Sequence, residues 1–160
     1  MVACTTIYKG RVREKIMLVK LKKIKPDSIV PTYAHATDAG ADLYAYEDVM
    51  IYPGERHAVR TGIAVDIPEG YAGLIHPRSG LAAGKGLTVL NAPGTIDPGF
   101  QGEVKVIIYN ADPYIPAEIK RGDRIAQLIL QRVEHVFFDI VEEFTSKTER
   151  GEGGFGSTGR

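Results

Sequence analysis

Apolar and charged residues alternate along Leu18-Val19-Lys20-Leu21-Lys22, as they do in a strand that buries one face. Short stretches of similar character recur at residues 42–46, 49–52, 57–60, 63–67, 71–75, 87–90, 104–109 and 115–119. Pro53-Gly54, Pro68-Glu69-Gly70, Pro98-Gly99 and Asn110-Ala111-Asp112-Pro113 separate several of them, and each makes backbone demands that stop a strand. Strands at intervals of about ten residues predict an all-β sandwich or barrel. No period of 20–50 residues repeats, which excludes a solenoid or propeller.

Other stretches depart from that pattern. From Ile125, the residues Leu128, Ile129, Val133, Val136, Phe137, Ile140, Val141 and Phe144 fall at helical spacing, enough for about five turns. Their β-branched and aromatic side chains suit a pleated sheet better, so the pattern leaves helix and strand both open. Ser79-Gly80-Leu81-Ala82-Ala83-Gly84 predicts one short helix, with Ser79 as N-cap and Gly84 as terminator. After Phe144 the apolar pattern ends. Residues 145–160 hold five glycines and one aromatic, too little to pack a core. Gly151-Glu152-Gly153-Gly154-Phe155-Gly156 has the spacing of a dinucleotide fingerprint, but with four residues left no helix follows it. Ser157 stands where a Walker A loop needs lysine. Such a segment is either a frayed terminus or a loop that wraps phosphates through its N–H groups.

The 160 residues fit one domain, and a chain of that size buries roughly two-thirds of its unfolded surface without a disulfide. A hydrophobic content of 44% excludes a disordered chain. No apolar run approaches the ~20 residues of a membrane span, and the first residues lack the apolar stretch of a secretory signal. Cys4 has no partner for an internal disulfide, and the four histidines show no zinc spacing. A cytoplasmic protein without membrane association is the expectation. Lys+Arg and Asp+Glu balance at 20 each, but unevenly along the chain. Residues 1–25 carry eight cations against Glu14 alone, a net of +7, so the other 135 residues carry −7. Residues 1–16 are expected to be a basic extension, with a folded domain over 17–144 and a glycine-rich arm over 145–160. A solvated extension is the plainer reading of the basic charges. Nucleic-acid binding is the other, although nothing aromatic alternates with them beyond Tyr8.

Five segments carry candidate chemistry. They are Ala39-Gly40-Ala41-Asp42-Leu43-Tyr44-Ala45, Pro77-Arg78-Ser79-Gly80-Leu81-Ala82, Gly94-Thr95-Ile96-Asp97-Pro98-Gly99-Phe100-Gln101-Gly102-Glu103, Arg121-Gly122-Asp123-Arg124-Ile125-Ala126-Gln127-Leu128, and residues 150–159. In this order and spacing they resemble the five motifs of the trimeric deoxyuridine triphosphate nucleotidohydrolases (dUTPases). The resemblance covers about residues 17–159, and Asn91-Ala92-Pro93-Gly94-Thr95-Ile96-Asp97 is most similar to the bacterial, particularly actinobacterial, branch. It implies an all-β fold, a distorted jelly roll of the β-clip type with one short helix, in which 125–133 and 136–142 are strands. It also implies a homotrimer in which the C-terminal arm of one subunit closes over a site made by two others. The implied activity is hydrolysis of dUTP to dUMP and pyrophosphate with Mg²⁺. That reaction keeps uracil out of DNA and supplies dUMP for dTMP synthesis.

Displacement at phosphorus asks a protein chiefly to position a water and to offset charge on the triphosphate. Asp97 matches the family's water-activating aspartate. Alone, an Asp beside Pro-Gly reads as a turn residue, and its place in the third motif is what implies catalysis. The hairpin over 91–102, with Gly94, Thr95 and Ile96, is implied to pair with the uracil edge, helped by the Asn91 amide. It excludes a 5-methyl sterically, and cytosine's amine would meet a donor there. Phe100 stands where most of the family has tyrosine, so its ring would lie against the deoxyribose without a hydroxyl to donate. Lys105 is either a substrate contact or a solvated strand charge. Arg78, Ser79, Gly80 and Gln127 are implied to hold phosphates, Ser79 while also capping the helix. From the fifth motif, Arg150 would pair with the γ-phosphate, Phe155 would stack on uracil, and Gly156 and Ser157 would contact phosphate. Asp42 is implied to reach Mg²⁺ through water, with the ion resting on the triphosphate. Asp123 and Arg124 are expected to form an ion pair that fixes the fourth motif.

The expected ligand is dUTP, with no stable nucleic-acid partner. Two alternatives stand beside it. One is a dCTP deaminase of the same fold, which also carries an Ile-Asp-Pro-Gly-aromatic segment. The other is a regulatory module that binds nucleic acid through the basic extension. Pro77-Arg78-Ser79-Gly80 and the tail with Phe155 fit the hydrolase better.

Overall fold

The computed structural model describes residues 17–146 and 148–153. Within them the chain forms β1 (Lys20–Lys23), β2 (Ala41–Tyr44), β3 (Val49–Ile51), β4 (Arg56–Arg60), β5 (Ile63–Asp66), β6 (Tyr71–His76), α1 (Ser79–Lys85), β7 (Leu87–Val89), β8 (Gly94–Ile96), β9 (Lys105–Asn110), β10 (Ala117–Ile119) and β11 (Arg124–Arg132). The sheets run β2-β11-β6-β8, β4-β9-β7, β1-β5 and β10-β3, and every pairing is antiparallel. Neighbours in a sheet are seldom neighbours in sequence. The chain therefore crosses repeatedly between sheets, as a distorted jelly roll does, and the all-β expectation holds, with α1 the one helix of the described residues.

The period-two pattern sets the core. Along β9, Val106, Ile108 and Asn110 point inward while Lys105 faces solvent. Val106 and Ile108 join Val59 of the same sheet and Leu43, Ile75, Ile125 and Leu128 of the four-stranded sheet in one buried cluster. Asn110 is a polar member of that interior, with 0% of its surface exposed. Its amide donates to the Ile51 and Ile115 carbonyls, both at 2.9 Å, and its own oxygen accepts the Asp112 N–H at 3.0 Å. Full use of the amide is what permits its burial.

Most expected strands appear with ends shifted by one or two residues. The stretch left open between helix and strand divides. Its first part is β11, held between β2 and β6. Residues 133–144 have no regular structure, so the strand expected over 136–142 is absent. A strand needs a neighbour to take its backbone groups, and no described strand pairs there. Phe137, Phe138, Ile140 and Phe144 are left 89% or more exposed. The helix also differs from expectation. Arg78 holds the N-cap position without a side-chain cap bond, Ser79 is the first helical residue, and the helix continues past Gly84. It ends at Gly86, whose φ of 64° is the left-handed conformation that glycine adopts without strain.

One polar cluster ties the segment after β1 to the turn before β11. The Tyr46 hydroxyl donates to Asp27 at 2.8 Å, and Arg121 donates to the other Asp27 oxygen while lying 4.4 Å over the Tyr46 ring. These bonds, Arg121's foremost, hold the Asp27 carboxyl down at about 2 from its ordinary 3.8. With the folded value depressed, the unfolded chain binds the proton more readily between about pH 4 and 2. The stabilisation is present above that window and is lost as pH falls through it. Asp27→Asn should therefore lower Tm against the parent at pH 5, by a margin that shrinks toward pH ~2. Paired thermal melts check this, and a margin constant with pH would contradict it.

Candidate active site

Asp42 on β2 has its carboxylate buried, and three donors meet it. Arg78 Nε approaches Oδ1 at 3.1 Å, the Arg124 guanidinium donates to Oδ2 at 3.3 Å, and Gln127 Nε2 donates to Oδ1 at 3.4 Å. A carboxylate 3% exposed requires such partners. Register supplies Gln127, which lies directly across from Asp42. In a regular strand Arg124, three residues away, would face the opposite side. A bulge between Arg124 and Ala126 turns it to the same carboxylate. Gly40 lets β2 close on β11, since a Cβ there would sit 3.0 Å from Gln127 Cβ.

Arg78 also donates to the Arg124 carbonyl at 3.3 Å, at the foot of α1, where Ser79 and Gly80 are exposed. Asp42, Arg78 and Gln127 are thus in contact, with Ser79 and Gly80 adjoining. The expected Asp123–Arg124 ion pair does not form. Arg124 turns to Asp42, while Asp123 Oδ2 accepts the Lys120 N–H at 3.0 Å and closes the turn before β11.

A second group surrounds a cavity of about 370 Å³. Asn91, Gly94, Thr95, Ile96, Asp97, Phe100 and Lys105 all line it, with Ile75, Val89 and Val106 among its apolar walls. Asp97 follows β8 directly and is exposed. Asp97-Pro98-Gly99-Phe100 forms a tight turn in which Phe100 N–H donates to the Asp97 carbonyl at 3.2 Å and Gly99 has φ 83°. Proline followed by a positive-φ glycine is the chemistry such a turn demands. The Asn91 amide lies close to Gly94, where a Cβ would be 3.1 Å from Nδ2. The Phe100 ring lies over Gly102, where a Cβ would meet Cζ at 2.7 Å. The segment is not a closed hairpin. β8 pairs with β6, while β7 and β9 pair with each other.

Asp42 and Asp97 belong to opposite edges of the four-stranded sheet, β2 and β8, with β11 and β6 between them. Three strand spacings put the edges roughly 14 Å apart. His76 lies across from Gln127 and Ile75 from Gly94, so Asp97 is four residues beyond the row of Asp42, roughly 13 Å along the strands. Asp42 and Asp97 of one chain are then roughly 20 Å apart. No single phosphorus centre lies within reach of both.

Arg150 is exposed, and its Nε donates to the Gly153 carbonyl at 2.9 Å, within its own turn. Phe155, Gly156 and Ser157 lie outside the described residues, as does the basic extension over 1–16.

A family model described as dUTPase matches residues 27–159. The chain belongs to the dUTPase family. It is 59% identical over 141 residues to the deoxyuridine 5'-triphosphate nucleotidohydrolase of the actinobacterium Thermobifida fusca, covering 88% of this chain and 78% of that one. The expected actinobacterial affinity is borne out. Among solved structures, a dUTPase of Staphylococcus bacteriophage 80alpha with dUPNHPP aligns with TM-score 0.82 and 32% identity, covering 89% of this chain and 99% of that one. A mutant dUTPase from phage phi11 of S. aureus, described as coordinating a structural Mg(II) ion, aligns with TM-score 0.74 and 28% identity, covering 80% and 99%.

Three residues of this dUTPase-family chain gain roles that sequence reasoning missed. Arg124 joins Asp42 only because of the bulge. Arg60 and Glu103 pair at the rim of the cavity, Nε to Oε2 at 3.1 Å, across 43 positions of sequence. A glutamate closing the third motif was visible, but no local pattern names a partner so distant. Among the described residues, no helix is long and apolar enough to cross a membrane, and no group of three or more His, Cys, Asp or Glu forms a metal cage.

Proposed function

We propose that this chain is a dUTP diphosphatase, converting dUTP and water to dUMP and pyrophosphate. The observation that carries the reading is the gathering of six third-motif residues, Gly94, Thr95, Ile96, Asp97, Phe100 and Glu103, around one cavity, with Asn91 and Lys105 beside them. Asp97 holds a water by accepting its hydrogen bond. As the water oxygen bonds to the α-phosphorus, its proton passes to the Asp97 carboxylate. The bond from that phosphorus to the α,β-bridging oxygen breaks, and pyrophosphate leaves with the electron pair. Backbone groups of 91–102 and the Asn91 amide read the uracil edge, and Phe100 lies against the deoxyribose. Lys105 flanks the same cavity. Arg78, Ser79, Gly80 and Gln127 receive the phosphates, and Arg150, Phe155, Gly156 and Ser157 complete the enclosure from the arm.

Magnesium fits the Asp42 group in an outer-shell arrangement. One buried carboxylate without a cage around it suits an ion that the triphosphate holds and the protein reaches through water. When bound, Mg²⁺ offsets charge on the triphosphate. In the free chain Arg78 and Arg124 neutralise Asp42. Phosphates would draw those guanidinium groups away, and Asp42 would then be the carboxylate that holds the ion through water.

The separation of Asp42 from Asp97 supports a homotrimer with shared sites, the Asp42 group of one subunit facing the Asp97 cavity of another. The exposed Phe137, Phe138, Ile140 and Phe144 support the same arrangement, since a neighbouring copy would cover them. A cytoplasmic enzyme that keeps uracil out of DNA follows from that activity. Relatives and structural neighbours are named dUTPases, which favours the hydrolase over both the deaminase and the nucleic-acid module. Pyrophosphate release from dUTP, dTTP, dCTP and UTP side by side tests the proposal. Release from dUTP far above the rest is expected. Ammonia from dCTP, or equal release from dTTP, would overturn it.

A further inference from the structure

The loop that carries Asp97 is anchored at both ends. It leaves β8, where Thr95 lies across from Leu74 of β6. It returns through Glu103 to the buried Val104. The Glu103 side chain is 13% exposed. Both its oxygens accept from Arg60 Nε, at 3.2 and 3.1 Å, and Oε1 also accepts the Gly62 N–H at 2.9 Å. Beside it, Thr61 Oγ1 donates to the Val104 carbonyl at 2.6 Å, and Val104 N–H donates to the Ile63 carbonyl at 2.9 Å. The foot of the loop is thereby bound to the turn between β4 and β5.

That turn has little freedom. Gly62 has φ 71°, and a Cβ there would collide with Ser28 Oγ. Its carbonyl accepts from Ile24 N–H at 2.8 Å and from Ser28 Oγ at 2.7 Å. Between its anchors the Asp97 loop is exposed, with the Phe100-to-Asp97 bond inside it. Glu103 borders the cavity that Asp97 and Phe100 line.

We propose that Glu103 is a positioning residue for nucleobase selection. By tying the loop to Gly62 and Arg60 it sets how closely Phe100 and the 91–102 backbone approach the cavity, and so whether a 5-methyl group is admitted. Protein donors engage its carboxylate, so it acts through the loop rather than on the nucleotide. The inference rests on the dUTP-hydrolase reading.

The test measures kcat and KM for pyrophosphate release from dUTP and dTTP in the parent, E103A, E103Q and R60A, with a thermal melt of each. E103A should lower the dUTP-over-dTTP ratio of kcat/KM about tenfold, with KM for dUTP rising more than kcat falls. E103Q keeps an oxygen for the Gly62 N–H and R60A keeps the carboxylate, so each should lower the ratio about threefold. A variant that is merely less stable loses activity on both nucleotides in proportion, so an unchanged ratio in folded E103A would overturn the proposal. Should E103A fail to fold, unchanged ratios in both E103Q and R60A would overturn it equally. E103Q as damaging as E103A, with R60A at the parent ratio, would also overturn it, because the charge would then act on the nucleotide directly. A parent that releases no pyrophosphate from dUTP sinks the underlying reading instead.

Discussion

Asp97→Ala should bind dUTP about as well as the parent and hydrolyse it at least ~10²-fold more slowly, the usual loss when a positioned base is removed. The side chain follows β8 at the edge of the cavity and is exposed, and among the described residues it forms no ion pair or side-chain hydrogen bond. Its truncation leaves no buried partner stranded, so stability should stay within about 0.5 kcal/mol of the parent. Lost turnover cannot then be assigned to lost fold. The role proposed for it begins when water attacks, so kcat and kcat/KM should fall together while affinity holds. Calorimetric titration with a non-hydrolysable imido analogue, beside single-turnover rates, separates the two. Turnover near the parent's would remove Asp97 from the chemistry.

Mixing two inactive variants should restore activity. Asp97→Ala alters the cavity, whereas Arg78→Ala removes a partner of Asp42, which stands roughly 20 Å from Asp97 on the same chain. If each site joins the Arg78 side of one subunit to the Asp97 side of the next, a mixed trimer regains sites in which both partners are intact. Random assembly of equal amounts gives about a quarter of the parent's sites, and the trimers that carry both variants hold about one intact site in three. Each variant alone retains none. Differently tagged chains, refolded together and purified through both tags, provide the material. Sites built within single chains would leave the mixture as inactive as its components, and the shared-site trimer would then be wrong.

Some of this was readable along the chain. Val106-Ile107-Ile108-Tyr109 announces strand β9 through its β-branched and aromatic residues, although only the fold shows that Val106 and Ile108 face the core. Asp97-Pro98-Gly99-Phe100 announces its turn, because proline presets one dihedral and glycine accepts the next. The partners of Asp42 were only half readable. Gln127 belongs to a recognisable motif, but Arg124 reaches the same carboxylate through a bulge that depends on β2 lying alongside. Glu103 finds Gly62 only because β4 pairs with β9 and so brings the turn after β4 to the foot of β9. The apolar run from Ile125 was ambiguous for a related reason. Half of it became β11 where β2 and β6 offered edges, and half stayed irregular where no described strand did.

Local chemistry by itself determined most strands and turns outside the run from Ile125, and the motifs that mark the family, since dihedral preference and side-chain alternation act between near neighbours. Tertiary structure decided which charges meet and how far Asp42 stands from the Asp97 cavity. Those depend on pairings between segments distant in sequence, whose register the burial of a common core selects.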